Sequence, residues 1–233
     1  MRGMRFAVAG FLVVGMVSLA QAQFRPGGFG GGPTSLVTNK AVQEDLKLSE
    51  DQITKLKEWS TEFRKKSAEI MKDKGIDFGK GGFGKIEPEM REKLDAANAE
   101  ITKEAYKQLG EVLKKEQVER LKQISRQQMG ANAFTNAEVV DALKLTAAQK
   151  DSVKGVTGDL QKETREIFGE FTKGKFDVEK MQENQKKVQK LQKEYIGKLE
   201  DLLDDSQKKT WKEMKGEAFD LAKLQPQFPK KKD

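Results

Sequence analysis

Cysteine and histidine are both missing from the 233 residues. Without cysteine there is no disulfide framework and no lipid-acceptor thiol, so stability has to come from packing. Without histidine the usual general base is gone, and with it the serine and cysteine triads and the commonest transition-metal ligand. The chain reads as a binding protein rather than an enzyme, with no cofactor and no metal expected. Proline is scarce at 5 residues and alternating strand patterns are missing, which removes the usual signs of a β-rich fold.

Long apolar runs are absent too, apart from one at the start. "MRGMRFAVAGFLVVGMVSLAQAQ" places Arg2 and Arg5 ahead of an apolar run from Phe6 to Ala20, then a small-x-small ending at Ala20-Gln21-Ala22. This pattern predicts a secretory signal peptide over residues 1–22, cut before Gln23, and a periplasmic or secreted protein. The run is shorter than the roughly 20 residues of a spanning helix, so no membrane insertion is expected.

Excess charge of one sign is small. Lys and Arg number 44 against 37 acids, and removal of Arg2 and Arg5 leaves 42 against 37. The basic residues alternate with acids at helical spacing, as in Lys55, Lys57, Glu58, Glu62, Arg64 and Lys65. That is the pattern of a solvated helix face and not of a nucleic-acid footprint, which clusters basic residues with interleaved aromatics.

What the chain does have is a phrase written four times: "LSEDQ" from Leu48, "LKKEQ" from Leu113, "LTAAQ" from Leu145 and "LDDSQ" from Leu203. In the first and third, Ser49 or Thr146 stands three residues before Gln52 or Gln149, the spacing of a capping box. Asp204 with Gln207 is a variant, since Asp also caps well. Leu113 and Gln117 enclose Lys114, which has no capping oxygen, so that helix start should be weaker or a bend in a continuous helix. Leu48 with Ile53, and Leu113 with Val118, have the spacing of a hydrophobic staple.

The phrases sit in a longer repeat. An offset of 97 lays "TNKAVQEDLKLSEDQ" from Thr38 on "TNAEVVDALKLTAAQ" from Thr135, and an offset of 90 lays "GKIEPEM" from Gly84 near "GKFDVEKM" from Gly174. The pattern predicts a tandem duplication, with units over 38–130 and 131–224, a Gly-rich linker over 23–37 and a basic tail over 225–233. Apolar residues step by three and four through each unit: Leu56, Phe63 and Ile70, then Leu94, Ala97 and Ile101, then Val153, Val156 and Leu160. Met181, Val188, Tyr195 and Leu202 recur every seven residues in a coiled-coil-like stripe. The prediction is an all-α fold of long amphipathic antiparallel helices.

Paired LTxxQ-type motifs in a helical, exported, lysine- and glutamine-rich chain resemble the Spy/CpxP family of periplasmic proteins, from about Thr38 to Met214. The resemblance rests on Leu48, Ser49 and Gln52 with Leu113 and Gln117, and on Leu145, Thr146 and Gln149 with Leu203 and Gln207. It implies four-helix units that form a thin curved cradle and bind unfolding clients without ATP. Two units in one chain would build that cradle internally, as a monomeric pseudo-dimer or as a homodimer. Metal-sensing relatives use histidine-rich segments, which are missing here.

The resemblance thus implies an ATP-independent stress-response chaperone, or holdase, for unfolded or partially folded envelope proteins. The alternatives are a structural or adaptor protein docking a single periplasmic partner and a metal- or stress-sensing regulator. Phe78 and Phe83, beside the glycines of the central loop, are candidate client contacts because loops often carry function. "GKGGFGKI" from Gly79 fits part of a phosphate loop but has Ile86 where Ser or Thr is required, and no strand precedes it. Glu200, Asp201, Asp204 and Asp205 lack the spacing of a calcium loop.

Overall fold

Asn39, Ser49, Asn136, Thr146 and Asp204 each place a side-chain oxygen on the first N–H groups of a helix. A computed structural model describes residues 32–76, 88–169 and 178–224. Phe78, Phe83, the glycine-rich loop around them, the predicted signal peptide and the basic tail lie outside the described residues. Within them the chain forms α1 (Pro33–Val37), α2 (Lys40–Asp45), α3 (Glu50–Asp73), α4 (Pro88–Val112), α5 (Lys115–Met129), a 3-10 segment η1 (Gly130–Thr135), α6 (Ala137–Leu143), α7 (Ala147–Gly169), α8 (Val178–Asp201), α9 (Asp205–Lys215) and a 3-10 turn η2 (Leu221–Leu224). No strand occurs among the described residues, so the fold is all-α.

The four long helices form two antiparallel pairs. Lys66 reaches Glu104, Trp59 Nε1 donates to Gln108 at 2.9 Å and Lys74 pairs with Glu100, so residue numbers rise along α3 as they fall along α4. Tyr195 to Glu163 and Asn184 to the Ile167 carbonyl set the same antiparallel register between α8 and α7. A helix of 24 residues such as α3 or α8 is about 36 Å long. The inner face of α3 buries Leu56, Ser60, Phe63, Ile70 and Met71, while its lysines and glutamates stay outside. Full burial of a side chain the size of Leu56 or Phe63 stabilises by about 1.5–3 kcal/mol, an upper figure because the unfolded chain is itself partly compact.

Small polar residues are buried on the inner faces of the paired helices. Ser60 and Thr157, 97 positions apart, are both buried, and each hydroxyl donates to a carbonyl one turn back, Lys57 at 2.9 Å and Val153 at 2.8 Å. Neither then needs a partner across the interface.

Two principal cores result. One gathers Leu36, Val37, Val42, Leu46, Leu56, Leu109, Leu113, Leu121 and Ile124, and extends toward the α3–α4 tip as a smaller cluster of Ile70, Met71, Ile76 and Ala97. The other gathers Phe134, Val139, Leu143, Leu145, Val153, Leu160, Tyr195, Leu199, Leu203 and Trp211, with the Phe134 and Trp211 rings 4.5 Å apart. The first core reaches back past the expected boundary at Thr38. Pro33 to Val37 is a helical turn with Leu36 and Val37 fully buried, because Pro33 at the first helical position and two apolar residues outweigh the glycines before them.

The stretch around Gly130, read as a junction, is also packed. Gly130 takes φ +58° and the following turn buries Ala131, Ala133 and Phe134 in the second core. Helix α5 joins the cores: Leu121 and Ile124 face the first, while Arg126 points to the second half. Arg126 is buried, and its guanidinium donates to Glu119 at 3.0 Å, to Glu138 at 3.2 Å and to the Met214 carbonyl at 2.9 Å. Lys122 adds a bond to the same Glu138 oxygen at 2.9 Å. Partial burial works against the Glu138 charge, but Lys122 and Arg126 outweigh it and hold that carboxyl below its ordinary range.

Candidate functional site

The repeated phrase is built from two successive devices. Leu46-Lys47-Leu48 and Leu143-Lys144-Leu145 end α2 and α6. Lys47 and Lys144 both sit at φ +50°, and they are the only non-glycine residues in the left-handed region among those described. In each, the leucine after the lysine donates its N–H five residues back, to Gln43 or Val140, and the lysine N–H reaches three back, to Glu44 or Asp141. This is a Schellman stop made with lysine where glycine is usual.

The next residue starts a helix. The Gln52 N–H meets Ser49 Oγ at 3.2 Å and the Ser49 N–H meets Gln52 Oε1 at 3.1 Å, which closes the expected box. Thr146 with Gln149, at 3.2 and 3.0 Å, and Asp204 with Gln207, at 2.8 and 3.0 Å, close theirs. At the third phrase only half a box forms: the Lys114 N–H donates to Gln117 Oε1 at 2.9 Å, and a lysine ammonium has no lone pair to return the bond. The helix nonetheless breaks there, with Lys114 extended at ψ 157° between α4 and α5, so the expected alternative of one continuous helix does not occur.

The glutamines do more than cap. Gln52 Nε2 donates to Gln117 Oε1 at 2.8 Å and to the Val112 carbonyl at 3.0 Å, and Gln117 Nε2 donates to the Leu46 carbonyl at 3.0 Å. The same clasp recurs in the second half. Gln149 Nε2 reaches Gln207 Oε1 at 2.8 Å and the Leu202 carbonyl at 2.8 Å, and Gln207 Nε2 reaches the Leu143 carbonyl at 3.0 Å. Each amide thus joins its own helix start, the partner amide and a carbonyl at the end of another helix.

Two groups of the predicted residues come together in this way. Leu48, Ser49, Gln52, Leu113 and Gln117 meet at one clasp, and Leu145, Thr146, Gln149, Leu203, Asp204 and Gln207 meet at the other. Leu113, Leu145 and Leu203 are buried beside them, and Leu48 packs on the first core. The sequence pairs the phrases in the same two groups, but that the glutamine amides bond each other is a tertiary finding, for which the sequence holds one signal. "LKKEQ" keeps its glutamine where the capping oxygen is lost, so the glutamine has a second role.

The rest of the described surface is rich in charged residues. Asp159, Lys162, Glu163, Glu166 and Tyr195 line a shallow polar depression on the α7–α8 pair. There the Tyr195 hydroxyl donates to Glu163 at 2.5 Å, and Lys198 lies 4.1 Å above its ring. Glu200 accepts from Trp211 Nε1 at 2.7 Å and pairs with Lys215, while Asp204 caps α9. Among the described residues no cluster of acids is arranged to hold a metal, and no helix is long and apolar enough to cross a membrane. Leu221 is the one large apolar side chain that is exposed among them.

No protein-family description, curated protein or solved structure matches the chain.

Proposed function

We propose that this protein is an exported, ATP-independent holdase that captures partially unfolded envelope proteins. The observation that carries the reading is the pairing of the four glutamine phrases into two clasps. Each clasp ties the base of a long helical hairpin and joins the same motifs on which the likeness to the Spy/CpxP family rests. Equal backbone geometry at Lys47 and Lys144, 97 positions apart, and buried hydroxyls at Ser60 and Thr157, also 97 apart, that each bond back into their own helix support two copies of one unit and an internal pseudo-dimer. Lysine-rich helix faces would steer acidic or unfolded clients by charge, and apolar contact would retain them.

The test is light scattering of a heat- or reductant-denatured protein in ATP-free buffer, with and without the chain from Gln23. Suppression at near-equimolar amounts, not matched by an unrelated basic helical protein, is the expected result. Unchanged scattering across several clients would end the holdase reading. It would favour the second one, an adaptor that docks a single partner. The near absence of exposed large apolar side chains among the described residues favours that second reading, and a stoichiometric pull-down from the envelope fraction would identify the partner.

A further inference from the structure

Residues 216–224, after α9, do not stay with the core that α9 belongs to. Gly216 ends the helix at φ +60°, ψ −156°, a conformation open essentially only to glycine, and residues 216–224 then cross onto α5 and the first half. Phe219 and Leu224 pack against the core of Leu36, Val37, Leu121 and Ile124.

Among the described residues, the hydrogen bonds that join Lys215, at the end of α9, and this segment to the first half use backbone groups of the segment and of Lys215. Arg120 Nη1 donates to the Glu217 carbonyl at 2.7 Å, and Gln127 Nε2 donates to the same carbonyl at 2.8 Å and to the Lys215 carbonyl at 2.7 Å. Gln127 Oε1 accepts the Phe219 N–H at 2.8 Å, and Asn39 Nδ2 lies 3.4 Å from the Lys223 carbonyl. The donors on α5 are themselves held in place: Arg120 is pinned by Asp45 through Nε at 2.7 Å and Nη2 at 3.1 Å.

A surface that reads backbone carbonyls and one N–H, and takes two apolar side chains five positions apart, is the chemistry of a general peptide site. Main-chain bonds supply affinity and pockets supply a coarse side-chain preference. The occupant has little structure of its own, a single 3-10 turn at Leu221–Leu224 with Leu221 exposed, so its local release costs little.

We propose that this face of α5 is a peptide-binding site held in cis by residues 216–224. Its ligand in trans is an extended segment of a partly unfolded protein carrying an aromatic and an aliphatic residue five positions apart. The choice of trans ligand rests on the holdase reading; the site itself does not. Tethering gives the cis segment a high effective concentration, so the site is guarded until a client or a perturbation displaces it.

The experiment is fluorescence anisotropy of a labelled peptide with the sequence of residues 214–224, titrated with the chain and with its Phe219→Asp/Leu224→Asp variant. The variant should bind the peptide at least about tenfold more tightly than the unaltered chain, as expected when intramolecular competition is removed. A peptide with aspartate in place of its phenylalanine should not bind, and adding Gln127→Ala to the variant should abolish binding. Equal binding by variant and unaltered chain, with helicity retained by circular dichroism, overturns the proposal, as does indifference to the aspartate in the peptide. Should the aspartate pair unfold the chain, the Phe219→Ala/Leu224→Ala variant is held to the same criteria. Peptide binding without suppression of client scattering by either protein sinks the holdase reading and leaves the site standing. Suppression without peptide binding does the reverse.

Discussion

The side-chain amides of Gln149 and Gln207 hydrogen-bond each other reciprocally, Nε2 of each on Oε1 of the other, at 2.8 and 3.0 Å. Gln207 is buried, and its removal strands its partner's amide, the Leu143 carbonyl and the Asp204 N–H together. Gln207→Leu should therefore cost about 2–3 kcal/mol by chemical denaturation, the cost of unsatisfied buried groups rather than of one bond. Gln149→Leu alone should cost somewhat less, because Gln149 is only half-buried. The double variant should fall short of the sum by about 1 kcal/mol, since the two share a network. Additive losses would mean that the glutamines act only as separate caps.

Lys114 is the defective cap of the four. Its backbone already has the extended conformation of a capping residue, and Gln117 already completes the other half of the box. Lys114→Asp or Lys114→Ser should raise stability by about 0.5–1 kcal/mol, seen as a higher urea midpoint at unchanged slope. No gain would show that the clasp to Gln52, and not the cap, determines how well α5 begins.

Lys47 and Lys144 occupy left-handed positions at helix ends where glycine is the usual residue. Both side chains are exposed, so little packing is lost on replacement. Lys47→Gly and Lys144→Gly should each stabilise by up to about 1 kcal/mol, and Lys144→Val should destabilise, because a β-branched residue is costly at positive φ. Thermal melts of the three variants distinguish backbone strain from a hidden role for the lysines.

The chain has two tyrosines, and both should titrate late. Burial pushes the Tyr106 hydroxyl up to about 12, and the hydrogen bond to Glu163 pushes Tyr195 up to about 12. In the unfolded chain both ionise near about 10. Their contribution to stability is therefore complete below pH about 10 and is lost as the pH rises toward about 12, where the folded phenols also ionise. Tyrosinate absorbance should rise near 12 in the native protein and near 10 in urea. Glu163→Gln should bring Tyr195 down and leave Tyr106 in place.

The α-helices were largely legible because their signals are local. Leu56, Phe63 and Ile70 step at helical spacing, Ser49 and Thr146 announce their caps, and the structure puts those residues inside or at the helix starts. The short elements were not. Pro33–Val37 follows a run of glycines and Gly130–Thr135 starts on one, both are too short to show a helical period, and they fold because Val37 and Phe134 are wanted by cores assembled elsewhere in the chain. Nothing in the sequence sets Arg126 apart from the other basic residues, yet it is buried, held by Glu119 on its own helix, by Glu138 of α6 and by the Met214 carbonyl 88 residues away.

By itself the sequence determined where the capped helices start and which face of each long helix is apolar. These depend on hydrogen bonds three to five residues apart and on a periodicity that no distant contact can change. Only the tertiary structure decided that Gln52 meets Gln117 across 65 residues and Gln149 meets Gln207 across 58. It also decided that residues 216–224 lie on α5 and not on the core nearest in sequence. A side-chain amide carries no address for its partner: it bonds whichever amide or carbonyl the packing of the hairpins brings within about 3 Å.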